Sequence, residues 1–145
     1  MNQISEAVGH KKVITFKSFT DQFSNASKEM YFGNCSGYDT LAGESLVVVG
    51  TPHRNDIEYL LLAKVLGINF ITLDTTMGFK EIDYNGFRFM FNCYDHSELR
   101  EIQQGLIESD LIQAVGRART LRTDASVKLY SNFPLKITHQ FIWKE

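Results

Sequence analysis

The sequence predicts an α/β fold built on a mostly parallel β-sheet, and two neighbouring stretches carry this prediction. Residues 46–50 (LVVVG) form a continuous apolar run, which is typical of a strand buried on both faces of a parallel sheet. A helical period follows over residues 57–66, and a β-type run returns at 68–73. Strand, helix and strand in this order indicate a right-handed parallel crossover. We therefore expect a three-layer α/β domain.

Length and charge limit the class of protein. With 145 residues, 43% of them hydrophobic, the chain can bury one sizeable core, so we expect a single domain over residues 1–145. The polar residues 1–10 are expected to be flexible. A formal net charge of −2 excludes a protein that coats nucleic acid by bulk positive charge, so any such binding must be local.

The cysteines and histidines indicate neither a disulfide framework nor a metal site. Cys35 and Cys93 belong to no C-x-x-C motif, and the four histidines lack ligand spacing. No apolar run approaches the roughly 20 residues that span a bilayer. We therefore expect reduced thiols in a cytoplasmic protein without a membrane segment.

The first part of the chain predicts short elements around a glycine-rich loop. Residues 12–19 (KVITFKSF) have the composition of a strand, and Thr20 or Asp21 can then cap a short helix that runs through Ala26. Residues 30–32 are a second strand candidate. The loop at 33–39 (GNCSGYD) tolerates positive φ, so it either aims backbone N–H groups at an anion or turns a corner, and its composition favours the turn.

A helix over residues 57–66 follows the apolar run. Asn55 or Asp56 can cap this helix, and Gly67 can end it. Its apolar face is predicted to comprise Ile57, Leu60, Leu61 and Val65, interrupted by Lys64.

Alternating aromatic residues on both sides of Asn85-Gly86 predict a β-hairpin over about 79–94. We expect this hairpin to be an antiparallel insertion on the core sheet. Its stripe of Phe79, Phe87, Phe89 and Phe91 is interpreted as core packing, with base stacking as the less favoured alternative because few basic residues are interleaved.

The helical period returns at Ser97 and changes face near Gly105. This change predicts a bend or two helices, the second opening near Ser109 and Asp110. Residues 127–131 are a final strand by residue type, and residues 137–143 are either an edge segment or a chain end.

The strongest functional signal is the sequence QAVGRAR at 113–119. Gln113 and Arg117 share a helix face, and Gly116 allows another backbone or a ligand to come close. Arginine forks fit pairs of phosphate oxygens, so the pattern indicates a polyphosphate partner. The alternative is that these arginines simply complement the dipole at a helix C-terminus.

QAVGRAR resembles motif VI of superfamily 2 helicases, KVITFKSF resembles motif IV, and the GYD loop resembles motif V, in the family's order. The resemblance implies the C-terminal RecA-like domain of such an enzyme. Arg117 and Arg119 then contact the γ-phosphate of ATP beside Gly116, and Gln113 orients them or the attacking water. The commoner motif has its last arginine at the position of Thr120, so Arg119 and Arg122 both remain candidates for the second contact.

The resemblance also implies roles for residues outside motif VI. Gly37 and Asp39 would lie in the loop that faces the nucleotide and the bound strand. Lys17, Ser18 and Thr51 would contact the nucleic-acid backbone, with DNA favoured over RNA.

The sequence lacks the other half of an ATP site. No G-x-x-x-x-G-K-[ST] phosphate loop occurs, and the dipeptide Asp-Glu is absent. ATP and Mg²⁺ would therefore be held mainly by a separate N-terminal RecA-like domain, and the isolated chain is expected to be inactive. The alternatives are a non-catalytic RecA-like module that binds nucleic acid or protein, and a phosphate-binding α/β domain unrelated to helicases.

Overall fold

A computed structural model describes residues 2–37 and 40–137. The described residues divide into two compact units, one formed by residues 2–37, 40–52 and 109–131 and the other by residues 53–108 and 132–137. The helices are α1 (Asn2–Val8), α2 (Asp56–Val65) and α3 (Ser97–Gly116), and the strands are β1 (Lys12–Ile14), β2 (Leu46–Val49), β3 (Met77–Tyr84), β4 (Phe87–Tyr94) and β5 (Val127–Tyr130).

The first unit contains a parallel three-stranded sheet in the order β1-β2-β5. Val47 of the central strand pairs with Val13 on one side and with Lys128 on the other. Leu46, Val47 and Val48 are completely buried. The predicted strand at 46–50 is therefore confirmed as the centre of a parallel sheet, and the mixed α/β class with it.

One face of this sheet packs on a small apolar core. Val8, Val13, Phe23 and Val47 form its buried centre, and Ile4 of α1 packs against it. The helix α1 thus occupies most of the segment expected to be flexible, because Ile4 and Val8 lie one helical turn apart and both reach the core.

Gly50 ends β2 at a position that only glycine can fill. Its φ is +120°, and a Cβ atom there would lie 2.5 Å from Cε2 of Phe16 and 3.3 Å from Cε2 of Phe32. The two rings, whose centroids are 5.0 Å apart, therefore cover the carboxyl end of the central strand.

The segment after β1 differs from the prediction. The strand stops at Ile14, and Lys17–Gln22 is a 3₁₀ helix. The helix expected to run through Ala26 is not formed, since residues 25–27 extend beside β1: the Val13 amide donates to the Asn25 carbonyl at 3.1 Å. Residues 30–32 are also not a strand.

The second unit contains the predicted hairpin. β3 and β4 pair from Met77↔Tyr94 to Tyr84↔Phe87, and the turn residues Asn85 and Gly86 have φ of +52° and +83°, as a two-residue hairpin turn requires. The hairpin forms a sheet of its own, so the expected insertion into the core sheet is wrong.

The aromatic stripe of the hairpin is only partly core. Phe91 is completely buried, and its ring centroid lies 5.3 Å from that of Phe133, which also contacts Phe89. Phe79, by contrast, is 74% exposed. The part of the stripe that packs in the interior is therefore the part that contacts Phe133, which follows α3 in the chain.

Helix α2 begins as predicted and packs differently. The Asn55 side chain accepts a hydrogen bond from the Ile57 amide at 3.0 Å, which is an N-cap. The buried residues are Tyr59 and Ala63, in a cluster with Tyr94 and Leu99. The predicted apolar face is wrong in three exposed members, namely Ile57, Leu61 and Val65.

The strand predicted at 68–73 is absent. Ile68 and Phe70 have no regular secondary structure and pack on the cluster of Tyr59 and Tyr94, and Thr72–Thr75 is a 3₁₀ helix. The partner of β2 that follows in the chain is instead β5. Burial of two apolar side chains thus outweighs the β-propensity of this run.

Helix α3 is a single helix of 20 residues, so the predicted second helix start near Ser109 is wrong. Its buried stripe is continuous, because the completely buried Gln103 occupies the position between Leu99 and Ile107. The Gln103 Oε1 atom accepts from the Tyr94 amide at 3.3 Å, and its Nε2 atom donates to the Asn92 carbonyl at 3.2 Å. Because one member of the buried stripe is polar, the hydrophobic pattern of the sequence does not show that the stripe is continuous.

Within the described residues, no helix is both long enough and apolar enough to cross a membrane. Both cysteines, Cys35 and Cys93, are buried free thiols. The last predicted strand is confirmed as β5, and residues 138–143 of the predicted edge segment lie outside the described residues.

Candidate functional site

The sequence QAVGRAR lies where α3 ends and a tight turn begins. We call residues 116–123 the arginine turn. The amides of Arg117, Ala118 and Arg119 donate to carbonyls three residues earlier, at 3.3, 3.3 and 3.1 Å. This 3₁₀ tightening of a helix end satisfies backbone groups that would otherwise lack partners. It leaves Ala118 completely buried, Arg117 half-buried and Arg119 exposed.

Arg119 has a left-handed backbone conformation, with φ of +52°. This conformation costs a residue with a Cβ atom roughly 1–2 kcal/mol. Among the described residues, the other non-glycine at positive φ is Asn85, a residue type that tolerates the conformation in a hairpin turn. Arg119 follows the last turn of α3, where a left-handed residue commonly ends a helix, but glycine or asparagine usually occupies that position.

Three residues outside QAVGRAR, namely Gly43, Arg122 and Thr123, donate hydrogen bonds to this backbone. The Thr123 hydroxyl lies 3.2 Å from the Ala118 carbonyl oxygen and 3.1 Å from that of Arg119, so its single proton is shared between two acceptors. The Gly43 amide donates to the Ala118 carbonyl at 3.0 Å. The Arg119 carbonyl also accepts from the Arg122 amide at 2.8 Å. The turn is therefore fixed through its carbonyls.

Arg117 lies near the loop that contains Cys35. The Arg117 Nε atom donates to the Gln113 carbonyl at 3.3 Å, and the Cys35 thiol donates to the Tyr31 carbonyl at 3.1 Å. Burial raises the pKa of the Cys35 thiol, while the Arg117 charge lowers this pKa and the Asp110 charge raises it. The fold thus brings Arg117 and the loop before Gly37 together.

The remaining residues of this set lie on the surface. Gln113 and Gly116 are exposed, and a Cβ atom on Gly116 would meet nothing within 4 Å, so the described chain makes no close approach there. Gly37 is exposed with φ of +79°. Asp39 lies outside the described residues.

Lys17, Ser18 and Thr51 follow β1 and β2 at the carboxyl edge of the parallel sheet. Lys17 and Ser18 are exposed on the 3₁₀ helix, and the Lys17 ammonium lies 5.5 Å from the centre of the Tyr31 ring. The Thr51 hydroxyl lies 2.8 Å from that of Ser131, which follows β5. Carboxyl edges of parallel strands are where α/β sheets commonly bind ligands.

The structure separates the two predicted groups of site residues. The arginine turn precedes β5 and is bonded to Gly43 just before β2, so it lies at the amino edge of the sheet. Thr51 lies at the carboxyl edge. The four residues of β2 between these edges span roughly 13 Å. The predicted phosphate-contacting arginines and the residues predicted to contact nucleic acid therefore lie at opposite edges of the sheet.

No sequence pattern indicates a role for Gly43, Thr123 or Ser131. Thr123 lies in the polar run TLRTDAS, whose composition indicates a turn without indicating which hydroxyl holds it. Ser131 was included only as the last residue of a predicted strand.

The donor set suits phosphate oxygens better than a metal ion. The arginine turn carries the guanidinium groups of Arg117 and Arg119, and arginine matches phosphate geometry. In residues 2–37 and 40–137, no group of three or more His, Cys, Asp or Glu side chains could hold a metal ion. The side chains of the arginine turn are therefore suited to an anion.

No known protein family, curated protein or solved structure matches the chain.

Proposed function

We propose that the chain is the C-terminal RecA-like half of an ATP-dependent nucleic-acid helicase or translocase. In this proposal, Arg117 and Arg119 contact the γ-phosphate of ATP bound by a separate N-terminal RecA-like domain, and Gln113 orients them or the attacking water. The observation that carries the proposal is the strained Arg119 backbone, fixed by Thr123 and Gly43 beside a half-buried Arg117.

Backbone strain at a charged residue supports a functional role. Left-handed conformations of non-glycine residues persist where the surrounding structure imposes them, and they cluster at active sites and ligand contacts. A helix dipole would be complemented by an arginine in ordinary helical conformation as well as by a strained one. Complementing the dipole therefore does not require a left-handed arginine, and the glycine or asparagine that usually ends a helix would adopt this conformation with less strain.

Phosphoryl transfer gives such arginines a defined task. Negative charge on the transferring group is spread over its equatorial oxygens, and an arginine finger stabilises that charge in the transition state. The phosphate loop and the Mg²⁺ come from the other domain, so this chain supplies half of the site. Lys17, Ser18 and Thr51, on the opposite sheet edge, would contact the backbone of the bound strand, which is DNA in preference to RNA.

Turnover measurements test this division of the site. The isolated chain is expected to hydrolyse no ATP above background, with or without single-stranded DNA. Addition of the domain that supplies a phosphate loop and magnesium ligands should give turnover that depends on this chain. Turnover by the isolated chain would contradict the half-site. A combined protein that binds nucleic acid without hydrolysis would favour the non-catalytic binding module.

A further inference from the structure

We infer that Thr123 is a positioning residue that presents Arg119 to a polyphosphate. This inference rests on the proposed function, in which the arginine turn contacts ATP. It names a residue outside QAVGRAR and assigns it a specific task, namely holding the carbonyls that fix the left-handed backbone of Arg119.

The hydrogen bonds of Thr123 converge on the strained point of the turn. Its hydroxyl donates to the carbonyls on both sides of the Arg119 amide, those of Ala118 at 3.2 Å and Arg119 at 3.1 Å. The same oxygen accepts from the Ala125 amide at 3.4 Å. Both the donor and the acceptor capacity of one hydroxyl are thus used inside the turn.

Gly43 provides an independent restraint on the same carbonyl. Its amide donates to Ala118 at 3.0 Å, and its own φ is +84°. A Cβ atom on Gly43 would lie 3.8 Å from Cγ2 of Thr123, which is ordinary contact distance. The Thr123 side chain therefore lies between Gly43 and the arginine turn, with its methyl group toward the former and its hydroxyl toward the latter.

The direction of the Arg119 side chain follows from its backbone. A left-handed residue projects its Cβ differently from a helical one, so release of φ to the helical region would move the guanidinium group by several ångströms at the end of its long side chain. Misplacement of a contact group by about 1 Å can cost two orders of magnitude in rate. A hydroxyl that holds φ therefore sets the direction in which the Arg119 side chain leaves the backbone.

Arg122 does not share this arrangement. Like Arg119 it is exposed, but its φ is not in the left-handed region, and its amide donates to the Arg119 carbonyl at 2.8 Å. Its backbone thus supports the conformation of Arg119. The structure assigns the second polyphosphate contact to Arg119, and Arg122 is the matched control.

The test uses the isolated chain with sodium tripolyphosphate as the probe. NMR of Arg119 reports its backbone φ through the three-bond amide coupling and Cα shift, and its Nε–H resonance reports contact with the probe. Thr123→Val removes the hydroxyl and keeps the shape, Thr123→Ser keeps the hydroxyl, and Arg122→Ala removes the neighbouring charge. Thermal unfolding is recorded for each variant.

Thr123→Val is expected to move the Arg119 backbone signals and to raise the Kd for tripolyphosphate about tenfold, the effect of one lost charge-assisted contact. Thr123→Ser should match the parent in both respects. Arg122→Ala should leave the Arg119 backbone signals unchanged. If Thr123→Val does not fold, Thr123→Ala is read in the same way.

Two results would overturn the inference. One is a folded Thr123→Val variant with parental Arg119 signals and parental Kd. The other is a parent chain whose Arg119 Nε–H resonance does not respond to tripolyphosphate. Failure of the proposed function would show elsewhere, in turnover that is independent of the arginines once the second domain is supplied.

Discussion

Arg119 combines a permanent positive charge with a backbone conformation that its side chain disfavours. Its residue type is evident in the sequence, whereas its φ of +52° is not, because the conformation is imposed by hydrogen bonds from Thr123 and from Gly43, 76 residues earlier in the chain. A sequence motif can thus identify the charged group. The residues that hold its backbone, Thr123 and Gly43, are identified only from the structure.

Arg119→Gly is expected to stabilise the chain. Glycine adopts left-handed φ without the steric penalty, so the free energy of unfolding should rise by about 1 kcal/mol relative to Arg119→Ala, which keeps the Cβ atom. Denaturant unfolding of both variants measures this difference. Asn85→Gly is the matched control and should gain less, since asparagine tolerates this conformation. Equal stability of Arg119→Gly and Arg119→Ala would contradict the strain.

Tyr84 provides a second prediction at the residue scale. Its hydroxyl donates to Glu108 Oε2 at 2.9 Å, and the Asn85 side chain donates to Oε1 of the same carboxylate. Burial, this hydrogen bond and the Glu108 charge raise the pKa of Tyr84 to about 12. A raised pKa stabilises the fold below the ordinary tyrosine value of 10, and this contribution is lost as pH rises from 10 through 12.

Alkaline titration tests this prediction. The tyrosinate absorbance of the parent minus that of Tyr84→Phe should show one group that titrates near pH 12. Glu108→Gln should lower that midpoint, because the amide still accepts a hydrogen bond and carries no charge. Circular dichroism is followed in parallel to restrict the comparison to folded protein. A midpoint at the ordinary tyrosine value in the parent would contradict the Tyr84–Glu108 contact.

At the scale of elements, helix α3 shows that a hydrophobic period fails to identify a buried face when one buried residue is polar. Leu99, Ile107 and Leu111 are completely buried and lie on one stripe, yet the sequence indicated a change of face because its fourth member is Gln103. The hydrogen bonds of Gln103 to β4 are tertiary contacts. Gly105, near which the sequence predicted a bend or a second helix, lies within α3. A Cβ atom at this position would meet nothing within 4 Å.

Substitutions at these two positions separate a continuous helix from a broken one. Gly105→Ala should stabilise the chain by about 1 kcal/mol, since alanine favours helix and meets no neighbour. Gln103→Ala should destabilise it by about 2–4 kcal/mol, because it leaves a buried amide and a carbonyl of β4 without partners. Denaturant unfolding measures both effects. A destabilising Gly105→Ala would indicate a break at this residue.

At the scale of the whole molecule, the sequence predicted the coarse class and missed the pairing of strands. The strand at 46–49 was predictable because it is buried on both faces, and such a strand has an uninterrupted run of apolar residues. The hairpin was predicted from Asn85-Gly86, and it forms a two-stranded sheet of its own. Its Phe91 packs on Phe133, a contact distant in the chain that local patterns do not encode. The strand predicted at 68–73 is absent for a comparable reason, since Ile68 and Phe70 pack on a cluster that includes the distant Tyr94.

In the proposed function, the two edges of the parallel sheet have different roles, one in contact with nucleotide and the other in contact with nucleic acid. The arginine turn lies at the amino edge and Thr51 at the carboxyl edge, so nucleotide contact and strand contact need not compete for one surface. A net charge of −2 is consistent with this arrangement, since a chain with more acidic than basic residues can bind an anion only through a local group of cations.

ATP turnover by Arg117→Lys, in the chain combined with the domain that supplies the phosphate loop, tests the central claim most directly. Lysine keeps the charge and loses the planar fork, so we expect the rate to fall by about 10³ while nucleic-acid binding and melting temperature stay near those of the parent. Arg122→Lys, the matched control in the same turn, should keep the parental rate. Turnover of Arg117→Lys at the parental rate would contradict the role of this arginine in ATP hydrolysis.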